Sequence, residues 1–121
     1  MNKCNRNSLI IGVGGGTVLD VVGFISSIYM RGIDHIFFPT TLLAQGDSCI
    51  GSKTSINFGE YKNQIGGFYP PSQIYIDLNF LNTLSPADLQ SGLGEVSHYF
   101  VNQTSILLIS VSASRLPLGS R

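Results

Sequence analysis

Charge is what this chain has least of. Only 12% of its 121 residues are Asp, Glu, Lys or Arg, seven of each sign, and the formal net charge is zero. No basic cluster exists, which argues against nucleic acid as a partner, because backbone phosphates are held by clustered Lys and Arg. Tryptophan is absent, and Cys4 and Cys49 are the only cysteines. Two cysteines so placed match no paired metal spacing and make no disulfide framework, so they read as reduced thiols of a cytoplasmic protein. No run reaches the roughly 18 apolar residues that span a bilayer, and the start (Asn2, Lys3, Asn5, Arg6, Asn7) lacks the apolar stretch of a secretory leader. What remains is a chain with 43% apolar residues, enough for the core of one domain. So little charge also implies that part of the surface expects a partner.

The chain is organised around Leu9-Ile10-Ile11-Gly12-Val13-Gly14-Gly15-Gly16-Thr17-Val18-Leu19-Asp20. A β-branched apolar run stops at glycines, and an apolar helical pattern follows. Such a junction puts bare backbone N–H groups at a helix N-terminus, where hydrogen bonding and the helix dipole both favour an anionic phosphate. A side chain at Gly14, Gly15 or Gly16 would hold a pyrophosphate off the backbone. The same glycines also suit an ordinary strand-to-helix turn without a ligand.

Ser8 to Val13 reads as a buried parallel strand. Thr17 to Met30 reads as a helix with Val18, Val22, Ile25 and Tyr29 on its apolar face, and Gly23 inside it implies close packing. His35 to Phe38 is a second buried strand ended by Pro39, completing a βαβ unit with a right-handed crossover. His35 reads as structural. Thr40 and Thr41 cap a further helical segment through Leu42, Leu43 and Ala44 to Asp47. Gly51 to Tyr69 is a polar excursion whose alternation predicts a hairpin laid over the site. Gln73 to Asp77 is a third strand. Ser85-Pro86-Ala87-Asp88 starts a helix that runs through Leu89, Leu93, Val96 and Tyr99. From about Asn102 the composition turns serine- and leucine-rich without capping logic.

Polar residues gather in two blocks, Gln45-Gly46-Asp47-Ser48 with Lys53 and Thr54, then Lys62-Asn63. Ammonium groups for phosphate, with Asn and Asp for hydroxyls, would suit a small polyhydroxylated phosphate ester. A solvated loop carrying ordinary Lys and Asp accounts for the same composition.

Read together, Gly14-Gly15-Gly16 with Asp20, Tyr29-Met30-Arg31-Gly32, Pro39-Thr40-Thr41-Leu42-Leu43-Ala44-Gln45, Asp47-Ser48, Gly51, Lys53-Thr54, Ile56-Asn57, Lys62-Asn63-Gln64-Ile65-Gly66 and Gly94-Glu95-Val96 resemble the 3-dehydroquinate synthase family of sugar-phosphate cyclases. The resemblance runs in unbroken order from about Asn7 to Phe100. It implies an α/β fold with a Rossmann-like parallel sheet, the N-terminal portion of the dehydroquinate synthase-like fold. Residues 1–101 would be a partial NAD-binding domain, and 102–121 a divergent tail. The family's reaction is the NAD- and metal-dependent cyclisation of 3-deoxy-D-arabino-heptulosonate 7-phosphate to 3-dehydroquinate with release of phosphate, in the shikimate pathway. A divalent metal, zinc or cobalt, polarises the oxidised hydroxyl.

Carried over by position, Gly14, Gly15, Gly16, Asp20, Thr40 and Thr41 would bind NAD, and Asp47 and Ser48 would sit between nicotinamide ribose and substrate. Lys53, Lys62 and Asn63 would hold substrate phosphate and hydroxyls, with Lys62 also near the cofactor. Arg31 would reach the phosphate of a neighbouring subunit, which implies a homodimer, and Glu95 would be a metal ligand. Four positions depart from the family. Leu19 stands for a usual glycine, and Ser52 and Gly46 are mild changes. His98 replaces a substrate-binding lysine, and a neutral imidazole does not supply a fixed positive charge. Glu95 and His98 share a helical face at a spacing known from metal-binding bundles, so a second-ligand role stands beside that of a solvated histidine.

The family's two metal-binding histidines belong to a helical C-terminal domain that has no counterpart in these residues, nor do the strands usual before the glycine loop. A lone carboxylate binds zinc poorly. The expectation is therefore a truncated or frame-shifted piece of a synthase, inactive alone and with an apolar face left uncovered. Two alternatives are another sugar-phosphate cyclase, such as a sedoheptulose 7-phosphate cyclase, and a non-catalytic NAD-binding or dimerisation module.

Overall fold

A computed structural model of the chain describes residues 4–102. The tail assigned to 102–121 lies outside them, apart from Asn102. Three parallel strands form the sheet, in the order β1-β2-β5. β1 is Ile10–Gly14, β2 is His35–Pro39 and β5 is Gln73–Ile74. Ile10 pairs with His35 and Gly14 with Pro39, while Ile36 pairs with Gln73. The third strand is shorter than predicted. It breaks after Ile74, and Asp77 turns the chain by accepting a bond from the Asn79 N–H at 2.9 Å, opening a 3₁₀ segment at Leu78–Thr83.

Helix α1, Gly16–Ile28, carries the chain from β1 to β2 and covers one face of the sheet. Its buried residues are Leu19, Gly23 and Ser26, with Val22 half-buried, whereas Val18 and Ile25 are each 43% exposed. The predicted apolar stripe is thus rotated from the real one. Small residues face inward because the sheet and β3 approach closely there: a Cβ on Gly23 would stand 3.0 Å from Thr54 Cγ2 and 3.6 Å from Phe37 Cζ. The core is Leu19, Phe37, Ala44 and Cys49 with Val22 against it. On the opposite sheet face Phe38 and Tyr75 stack at 4.9 Å, but Ile11 and Val13 are each 54% exposed. β1 is therefore buried on one face only, where a two-sided strand was predicted.

α1 ends in a 3₁₀ turn, Tyr29–Arg31, in which Met30 (φ 48°), Arg31 (φ 71°) and Gly32 (φ 115°) lie successively in left-handed space. Two non-glycine residues there store backbone strain. After β2 comes a single turn of π-helix at Ala44–Ser48 where an ordinary helix was predicted. Its wide winding shows in the bond from Cys49 N–H to Ala44 C=O at 3.0 Å, five residues back. Thr41 does cap it, its Oγ1 accepting from Ala44 N–H at 3.1 Å.

The predicted hairpin forms from β3 (Lys53–Phe58) and β4 (Tyr61–Phe68), antiparallel with Lys53 opposite Phe68. It rests on α1 through Thr54, and every residue of β4 is exposed. Helix α2, Pro86–Asn102, starts at Ser85. Ser85 Oγ accepts from Asp88 N–H at 3.1 Å and bonds the Asp88 carboxylate at 2.7 Å, an N-cap with its reciprocal partner. α2 docks on the π turn through Gly92, where a Cβ would lie 2.7 Å from Leu42 Cβ, and through Val96 against Gly46. Leu93 is 58% exposed.

His35 is 1% exposed, edge-on to Phe37 at 4.9 Å and stacked on Tyr69 at 5.6 Å. Neither ring nitrogen has a partner among the described residues. Burial pushes its pKa below the ordinary 6.5, partly offset by the charge of Asp34. A depressed folded-state pKa means that the unfolded chain binds the proton more readily. Stability is therefore full above about pH 6.5 and falls as pH drops through that value. The urea midpoint is predicted to fall between pH 7.5 and pH 5, and His35→Phe to remove that component. An unchanged pH dependence in the variant contradicts the assignment.

Candidate cofactor site

The turn between β1 and α1 is bare backbone. Gly15 is the N-cap of α1, has no side-chain capping bond, and accepts from the N–H groups of Val18 and Leu19 at 3.0 and 3.2 Å. The free N–H groups of the first turn are the helix's positive end. Beside them lies a hollow of about 300 Å³ lined by Gly15, Gly16, Thr17, Thr41, Asp88 and Ser91, with Val18 and Leu43 at its apolar edge.

The glycines leave little room to what stands opposite. A Cβ on Gly15 would come within 3.1 Å of Thr41 Cγ2, and one on Gly16 within 2.9 Å of Ser48 Oγ. The turn is further tied to β2's exit by the bond from Thr40 N–H to Gly14 C=O at 2.9 Å. Thr41 spends its oxygen as a cap, which leaves its hydroxyl hydrogen available to a ligand. Bare backbone N–H groups at a helix N-terminus, open to a hollow, suit a dinucleotide diphosphate.

One turn further along α1, Asp20 is half-buried. Its pKa is raised, first by burial and then by the charge of Asp47. Gly16 and Asp20 lie on one helical face and meet consecutive residues of the π turn, Ser48 and Asp47. The two carboxylates are thus near enough for their charges to interact, while Asp20, Thr40, Asp47 and Ser48 do not themselves line the hollow.

The remaining predicted residues are elsewhere. Lys53, Lys62 and Asn63 are exposed on the hairpin, and none lines the hollow. The expectation of a hairpin over the site is corrected to a hairpin on the middle of α1. Asn63 has a left-handed backbone (φ 55°), its N–H bonded to Asn57 Oδ1 and its Oδ1 to Ser55 Oγ, each at 3.1 Å. Arg31 is exposed at the far end of α1, about 20 Å from the glycine turn at 1.5 Å per residue. It cannot serve this chain's own hollow. Glu95 is half-buried on α2 beside Val96, and His98 is exposed one turn on. Among the described residues no three His, Cys, Asp or Glu side chains cluster as a metal site would need. The resident metal therefore does not fit this part of the chain alone. Cys49 is buried with its thiol pushed up to about 11, chiefly by burial, and is an inert core residue.

Asp88 and Ser91 were missed by the sequence reading. The Ser85-to-Asp88 pattern marks a helix start but not that this start meets the N-terminus of α1 across a hollow. Asp47→Asn is predicted to lower the Asp20 pKa, as read by carbon NMR of its carboxyl. An unmoved titration would mean that the two carboxylates do not face each other.

Comparison with known proteins places the chain in a family. A model of the family described as 3-dehydroquinate synthase N-terminal matches residues 1–91. The 3-dehydroquinate synthase of Helicobacter pylori (strain G27) is 55% identical over 94 residues, covering 78% of this chain and 27% of that enzyme. The one from Clostridium tetani is 52% identical over 98 residues, covering 81% and 26%. Among solved structures, 2-epi-5-epi-valiolone synthase from Streptomyces hygroscopicus subsp. jinggangensis, with NAD+ and Zn2+ bound, matches with a TM-score of 0.71. It is 41% identical over 73% of this chain and 24% of that one. A 2-deoxy-scyllo-inosose synthase complexed with carbaglucose-6-phosphate, NAD+ and Co2+ gives 0.73 at 36% identity, over 76% and 26%. The chain thus spans roughly a quarter of the length of the relatives it matches. With the glycine turn, the π turn and the hairpin in one unbroken match, this chain belongs to the 3-dehydroquinate synthase family, in its N-terminal part.

Proposed function

We propose that the chain is the NAD-binding part of a 3-dehydroquinate synthase, acting in the shikimate pathway in the cytoplasm. The observation that carries this is the fit of Gly15 and Gly16 against Thr41 and Ser48, with Asp20 and Asp47 alongside. The backbone N–H groups at Gly16 and Thr17 would hold the cofactor diphosphate. Asp20 would accept from a ribose hydroxyl, Thr40 and Thr41 would border the cofactor, and Asp47 and Ser48 would face its nicotinamide end. When bound, NAD supplies reversible hydride acceptance from a ring hydroxyl of the sugar phosphate.

Lys53, Lys62 and Asn63 are assigned to the phosphate and hydroxyls of that substrate, 3-deoxy-D-arabino-heptulosonate 7-phosphate. Their exposure requires the hairpin to meet the substrate from a side that the described residues leave open. Arg31, remote from the hollow, is assigned to a second subunit's phosphate, and its strained backbone supports a role outside its own helix. Glu95 would contribute one carboxylate to a zinc or cobalt ion held mainly by residues beyond these 121. On this reading the chain alone is inactive. A second reading, another sugar-phosphate cyclase, is supported by the two cyclases among the solved structures, but the higher identity to dehydroquinate synthases favours the first.

Isothermal titration with NAD is predicted to give saturable binding, and Gly16→Val to weaken it at least tenfold while circular dichroism shows the fold retained. No binding to the parent chain contradicts the proposal. With NAD and zinc present, the isolated chain is predicted to release no phosphate from the heptulosonate substrate. Measured turnover would refute the assignment of the metal site to residues outside it.

A further inference from the structure

Gln45 stands at the start of the π turn, two residues before Asp47 and three before Ser48, and does not itself line the hollow. It is only 6% exposed. Its Nε2 donates to two backbone carbonyls, Pro39 C=O and Asp77 C=O, each at 3.1 Å. Pro39 is the last residue of β2, and Asp77 follows β5 by three residues. One carboxamide therefore spans the exits of two neighbouring strands. The backbone of Gln45 is engaged as well: its N–H donates to Thr41 C=O at 2.9 Å, and its C=O accepts from the Cys49 thiol at 3.5 Å.

The chemistry of the side chain is specific. An amide nitrogen has two hydrogens, and both are used. A glutamate here would turn oxygen toward two carbonyl oxygens, and a methionine would fill the space with no donor. Gln45 Oε1 is buried without a partner among the described residues. A buried unpaired acceptor is unfavourable, so the amide is kept for its NH2 and not for its oxygen. The π turn also needs such a tether, because its winding gives poorer internal hydrogen bonding than an α-helix. Asp47 and Ser48 ride on that turn and meet Asp20 and Gly16 across it.

We propose that Gln45 is the positioning residue of the cofactor site. Its carboxamide clamps the π turn across the exits of β2 and β5, and so sets where Asp47 and Ser48 stand against α1. This rests on the reading of the hollow as an NAD site.

The test uses the full chain, with amide hydrogen exchange and NAD titration on Gln45→Met, Gln45→Asn and the core control Val22→Ala. In Gln45→Met the Cys49 and Ile50 amides, bonded to Ala44 and Asp47 at 3.0 Å, are expected to exchange at least tenfold faster, beyond any change in the β1–β2 ladder. NAD affinity should fall at least tenfold, with Gln45→Asn in between. Val22→Ala should speed exchange throughout and leave NAD affinity within twofold. Uniform acceleration in Gln45→Met, or NAD affinity within twofold of the parent, overturns the proposal. If the parent chain takes up no NAD, the site reading fails by itself and the exchange contrast alone decides the clamp. If Gln45→Met does not fold, Gln45→Asn is judged by the same contrast.

Discussion

The structure depends on one close approach, that of the glycine turn at the head of α1 to the segment leaving β2. A Cβ at Gly15 or Gly16 would press on Thr41 or on the Ser48 hydroxyl. Because the two segments touch, the first turn of α1 becomes one wall of a hollow, and Thr41 and Leu43, just ahead of the π turn, become another. The same contact seats α1 on the sheet, so that Leu19, Phe37, Ala44 and Cys49 form a single core. Position and function here are not separable.

Around that contact the elements differ in how firmly they are held. β1, β2, α1 and the π turn share the core, and α2 is joined to them through Gly92 and Val96. The hairpin is attached at its base, through Thr54 on Gly23 and the bond from the Tyr69 hydroxyl to Ile33 C=O at 3.3 Å, while β4 stays exposed along its length. Local stability follows buried contact, and Thr54 is the hairpin's one buried residue. On the second sheet face Ile11 and Val13 are each 54% exposed.

Much of this was legible in the residues. The β-branched run into three glycines announced β1 and the head of α1, and Ser85 with Asp88 announced α2. Gly23 announced the close packing that Thr54 and Phe37 supply. The inward face of α1 was misread because hydrophobic periodicity marks where apolar residues recur, whereas this helix is packed so tightly that Gly23 and Ser26 face in. The π turn was unreadable for a related reason. Its extra residue leaves no compositional trace, and its tether from Gln45 to Asp77 spans 32 positions. The hairpin was recognised from alternation, but alternation says nothing of which surface a hairpin lies on. The placing of Lys53, Lys62 and Asn63 therefore came from resemblance and not from pattern.

The central claim is that the glycine turn is where the cofactor diphosphate rests. Its most direct measurement is a nitrogen–proton NMR titration of the chain with NAD, following each backbone amide. The account predicts the largest shifts at Gly15, Gly16 and Thr17, with Thr41 and Ser48 next. Shifts confined to the hairpin, or spread evenly with none at the glycines, would contradict it.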